Sequence, residues 1–172
     1  RASLHADAAI YAETKVFDYP RSGSVQTIEQ AIANGKFNTV IICVAKPDET
    51  YLSAARQLSD VNADVVVASM CHPEKLDLVG NLLGYDKVKA SLLSYNGTTT
   101  DEDYMAQTIF GGNGAKGVLP VDMKAGNQTL KAGTGVCYEA TRLGYTIPEE
   151  VGFRGDLLAK IDSVCHYGVQ QK

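Results

Sequence analysis

ADVVVASM, residues 63–70, and NTVIICVA, residues 38–45, decide the fold. Both are short runs of β-branched and apolar residues with no polar alternation, the pattern of strands covered on both faces. Between them DETYLSAARQLSD reads as a helix opened by Asp48, with Leu52, Ala55 and Leu58 on one stripe. Strand, helix and strand joined by short connections imply parallel pairing with right-handed crossovers. Upstream, SVQTIEQAIANG predicts a helix with Ser24 as N-cap, Ile28 and Ile32 on one face and Gly35 past its end. Residues 3–14 predict a further helix, and KVFDYP a short strand ended by Pro20. Downstream, PEKLDLVGN opens on a proline suited to a first helical turn. KASLLSY, residues 89–95, reads as a strand, TTTDEDYMAQTIFGG as a helix with a Thr/Asp start and a Gly stop, and VLPVDM as a last strand. Pro120 has no N–H to give a ladder, so that last strand is expected at an edge. The expected class is α/β: a three-layer α/β/α sandwich with a mostly parallel sheet over residues 1–123.

The character changes at Lys124. Residues 124–156 are rich in Gly and Thr and poor in apolar runs, as in a linker or a surface-wrapping arm. GDLLAKIDSVCHYG then places Leu157, Leu158, Ile161 and Val164 at helical spacing. Residues 124–172 are therefore expected to be an arm and an amphipathic helix whose stripe awaits a following domain. Opening on Arg1 rather than Met reads as trimming, processing or a fragment.

Composition narrows the function classes. With 45% hydrophobic and 21% charged residues in 172, the chain has the makings of one buried core. A net charge of -4 gives no basic footprint for nucleic acid. No apolar run approaches the roughly 20 residues of a membrane-spanning helix. Cys43, Cys71, Cys137 and Cys165 are too widely spaced for a zinc site, and no metal is expected. Cys43 and Cys71, in or beside apolar strands, read as small buried hydrophobes.

No G-x-S-x-G, S-x-x-K, H-E-x-x-H or P-loop pattern occurs. GGNGAKG, residues 111–117, follows a helix and precedes a strand, the reverse of a dinucleotide loop. A helix C-cap running into a tight turn is the expected reading, and no cofactor is implied. Ligands of open parallel sheets lie beyond the carboxyl ends of the strands. The loops there offer Lys46 and Asp48 after the second strand, His72 after the third and Asn96 after the fourth. These four are the ligand-facing candidates. Helix capping accounts equally well for Asp48 and a solvated loop charge for Lys46, and none has a positioned partner that makes it an acid or base.

KPDETYLSAARQL and TTTDEDYMAQTIFGGNGAKGVLPV, with the order of elements between them, resemble the carboxyl-terminal α/β sandwich domain of glycoside hydrolase family 3, of the kind in bacterial β-N-acetylglucosaminidases. The hallmark is a helix ending in Phe-Gly, a glycine loop and Gly-x-Leu-Pro-Val. Here Ala106, Phe110, Gly111, Gly117, Leu119, Pro120 and Val121 carry it. Val118 stands where a basic residue is common, and the loop lacks the frequent proline. The resemblance covers roughly residues 15–123. YTIPEEVGFRGDLLAKIDSVCHYGVQQK is similar to the opening helix of serine β-lactamase-like hydrolases, which occur fused to such glycosidases.

These resemblances imply a bacterial parent, periplasmic or secreted, that hydrolyses a carbohydrate by the retaining route. They imply that the nucleophilic Asp and the acid/base lie in an amino-terminal TIM barrel of that parent, and any serine nucleophile in a domain beyond the tail. Retaining chemistry needs two such groups across one sugar bond, and no carboxylate here matches either. The expected function is a non-catalytic accessory domain of a glycosidase, inactive alone. A free-standing flavodoxin-like small-molecule or nucleotide binder is the alternative, and an interaction scaffold a third.

Overall fold

The computed structural model describes residues 2–18, 23–35, 37–44, 53, 56–58, 61–81, 88–142 and 147–171. It divides into two compact units, residues 1–142 and 143–172. The first unit holds a parallel sheet of β1 (Thr39–Val44), β2 (Asp64–Met70) and β3 (Val88–Ser94), in that spatial order. Thr39 pairs with Asp64 and Val44 with Ser69 across β1 and β2. On the other side Met70 pairs with Ser94, after a register shift at Val65/Val66.

Helices lie on both faces. On one, α2 (Val25–Ala33) sends Ile28, and α3 (Leu76–Gly80) sends Val79, into a cluster with Val65 and Val67. On the other, α1 (Ala2–Tyr11) and α4 (Thr99–Ile109) bring Leu4, Met105 and Ala106 against Ala68 and Met70. The α/β/α sandwich is thus the observed architecture, with β2 at its centre. Val65, Val67 and Ala68 have no exposed surface.

Local chemistry sets the element ends. The Ser24 hydroxyl accepts from the Thr27 N–H at 3.2 Å, leaving α2 capped, and Gly35 follows at φ 71°. α4 opens on a capping box: the Asp101 N–H donates to the Thr98 hydroxyl, and the Thr98 N–H to the Asp101 carboxylate at 2.8 Å. Those bonds from Thr98 hold the Asp101 carboxyl below the usual carboxylate range. Thr98→Ala is expected to cost about 1 kcal/mol. A depressed carboxylate stabilises the fold above its unfolded pKa and loses that contribution as pH falls through its folded pKa. The Tm gap between the native chain and Asp101→Ala should therefore narrow as pH falls below about 5 and on through the unfolded carboxylate pKa of about 3.9, as followed by circular dichroism. A gap that stays constant would contradict this assignment.

Three expectations change. β1 is not covered on both faces: Ile42 and Val44 are buried, but Cys43 between them is exposed. Position at the sheet edge is the reason, since β2 flanks it on one side only. Residues 15–18, the described part of KVFDYP, form no strand; Phe17 packs on the core and Val16 stays 61% exposed, so their side chains follow the core contact rather than a ladder. VLPVDM also forms no strand of the parallel sheet. Leu119 turns inward to the core beside Pro120, and the strand starts only at Met123. It forms an antiparallel hairpin, β4 (Met123–Ala125) with β5 (Gln128–Leu130). The helix predicted after β1 falls mostly outside the described residues, which show Arg56–Leu58 as helical and Leu58 as buried.

Residues 124–142 of the Gly/Thr-rich stretch fold back within the first unit. The Lys124 N–H donates to Asp77 at 2.7 Å and ties β4 to α3. Ala115 and Tyr138 exchange backbone hydrogen bonds at 2.9 Å, and the Leu119 N–H reaches the Thr134 carbonyl at 2.8 Å. Lys131 pairs with Asp122, which also accepts from the Ala132 N–H. The second unit has a 3-10 turn, Pro148–Val151, closed by Gly152 at φ 83°, and α5 (Gly155–Gln170). Glu149 accepts from the Gly155 N–H at 3.0 Å and so serves the first turn of α5. No described residue of this unit is buried; Leu157, Ile161 and Val164 are 40%, 56% and 70% exposed.

Ser69 and Glu102 are the polar residues buried among those described, and Ser69 is the more deeply placed. It is fully buried on β2, and its hydroxyl has no hydrogen-bond partner among the described residues. An unpaired buried hydroxyl costs about 1–3 kcal/mol. Ser69→Ala should accordingly raise the urea midpoint by the equivalent of about 1 kcal/mol, and a lowered midpoint would reveal a partner for this group.

Candidate functional site at the carboxyl edge of the sheet

Parallel pairing brings the exits of β2 and β3 to one edge. The Cys71 N–H donates to the Ser94 carbonyl at 3.0 Å, so the two strands stay joined up to the point where their loops diverge. After β2 the chain runs Cys71, His72 and Pro73, then a 3-10 turn, Pro73–Lys75, into α3. After β3 it runs Tyr95, Asn96 and Gly97 to the Thr98 cap of α4. Gly97 stands at φ 65°, which turns the chain here toward the helix.

His72 and Asn96 therefore share this edge, as the sequence reading expects, and both are exposed. The His72 ring lies 3.6 Å from Glu74, with both side chains largely in solvent. Lys46 and Asp48 lie outside the described residues. Behind the two loops, Cys71 is buried and burial pushes its thiol up, against the opposing pull of Lys75. Burial raises the Tyr95 phenol as well, helped by Cys71. Both groups are thus held neutral at pH 7. The edge presents the exposed His72 and Asn96 side chains in front of the buried Cys71.

No three His, Cys, Asp or Glu side chains converge among the described residues, and none of their helices is long and apolar enough to cross a membrane. A surface groove of about 310 Å³, lined by Glu13, Thr14, Lys15, Ala31, Asn34 and Phe37, sits beside the residues that lead into β1. That is the opposite, amino end of the sheet, and no candidate residue lines it.

The glycine cluster has a structural use that its sequence only partly discloses. Gly111 ends α4 at φ 80°. A Cβ on Gly111 would meet the Thr141 hydroxyl, and one on Gly114 the Tyr138 carbonyl. On Gly112 it would stand 2.7 Å from the Tyr11 hydroxyl, whose ring stacks on Phe110 at 5.2 Å. The Gly111 carbonyl accepts the N–H groups of Thr141 and Arg142 at 2.9 and 2.8 Å. Close approach of residues 138–142 and of α1 requires these glycines. Sequence reasoning offered a linker or a surface-wrapping arm but not where it docks, because the Gly111 carbonyl lies some thirty residues from Thr141 and Arg142.

No family model and no curated protein matches this chain. Among solved structures it is similar, at a TM-score of 0.56 and 18% identity, to a fungal multi-domain GH3 β-N-acetylglucosaminidase described as having a unique GCN5-related glucosamine N-acetyltransferase region. The match covers 75% of this chain and 14% of that one, so this chain spans a small part of its neighbour's length. At that identity the likeness is one of fold.

Proposed function

We propose that this chain is a non-catalytic accessory domain of a family 3 glycoside hydrolase, acting beside a catalytic barrel in the same parent chain. The observation that carries the reading is a coincidence of two independent features. The fold is shared with part of a GH3 β-N-acetylglucosaminidase. Of the residues that resemble the family's hallmark, Phe110 and Gly111 end α4 and Ala106 and Leu119 lie in the core, whereas Gly117, Pro120 and Val121 are exposed. In this reading the loops carrying Lys46, Asp48, His72 and Asn96 border the parent's carbohydrate cleft. A retaining β-N-acetylglucosaminidase or β-glucosidase type of parent, bacterial in origin, belongs to the same proposal. So does a serine β-lactamase-like domain after α5, which rests on the tail's sequence alone.

The test has two arms. The purified chain should release no aglycone from aryl N-acetylglucosaminides or aryl glucosides, and should transfer no acetyl group from acetyl-CoA to glucosamine. Turnover in either assay overturns the reading. In the intact parent, His72→Ala with Asn96→Ala should raise KM about five- to thirtyfold with kcat within about twofold, the effect of losing one or two hydrogen bonds of about 1 kcal/mol each. An unchanged KM removes these loops from the cleft. A bound flavin or nucleotide in the purified chain would favour the free-standing binder instead.

A further inference from the structure

We draw no further inference here: the strongest candidate, the exposed apolar stripe of α5 formed by Leu157, Ile161 and Val164, carries none because nothing in the structure shows what covers it.

Discussion

Gly80→Ala is expected to destabilise the fold by about 3 kcal/mol or more, although helix propensity alone predicts a gain of about 1 kcal/mol. Gly80 is the buried last residue of α3, and a Cβ there would collide with the backbone carbonyl of Lys124 in β4. A flexible side chain could swing aside, but this backbone is fixed twice over. The Lys124 N–H is bound to Asp77, and Met123 beside it is buried in the core. Relief requires lifting the β4–β5 hairpin from α3 and exposing Met123 and part of the cluster beneath it. Urea unfolding of the single variant reads the sign. With Asp77→Ala in the background the hairpin is freer to move, and the penalty of Gly80→Ala should shrink, since neighbouring sites couple. A stabilised Gly80→Ala protein would refute the close approach of α3 and β4.

The second large effect separates two strands whose sequences look alike. Val67 on β2 is fully buried, with helices against both faces of its strand. Val67→Ser removes roughly 1.5 kcal/mol of transfer free energy. It also leaves a hydroxyl to be buried unpaired at about 1–3 kcal/mol. A loss of about 3 kcal/mol follows, or about 9 °C in Tm for a chain of this size. Cys43→Ser on β1 should cost less than about 0.5 kcal/mol, the range of exposed sites. Cys43 is exposed, so a neutral hydroxyl there can reach water, although desolvation pushes the thiol up to about 11 and so disfavours a charge. Equal losses at both positions would mean that β1 is covered as β2 is.

That contrast marks where sequence reading succeeds and where it stops. The helices α2 and α4 are legible because their ends are written locally, in Ser24 and in the Thr98–Asp101 pair. β2 is legible because an unbroken apolar run leaves no solvent face. β1 has the same kind of run, yet its burial depends on its neighbours in the sheet, which six residues do not encode. Leu119 and Pro120 look like part of a strand, but their conformation follows from the distant Thr134 and Gly133 backbone. Of the candidate site, the placement of His72 and Asn96 on one edge was readable from strand order alone. The position of the glycine cluster after a helix rather than before one was readable too. What those glycines touch was not, because Tyr11, Tyr138 and Thr141 come from remote segments.

The two amides that close on the Gly111 carbonyl bear on how the chain matures. During synthesis from the amino end, α4 and the sheet it covers are complete before the strap that seals the helix end has been made. Until Arg142 clears the ribosome, that carbonyl lacks both of these donors on the nascent domain. A ribosome stall or cleavage before residue 141 would therefore yield a sandwich with its sheet formed but one helix end unsealed.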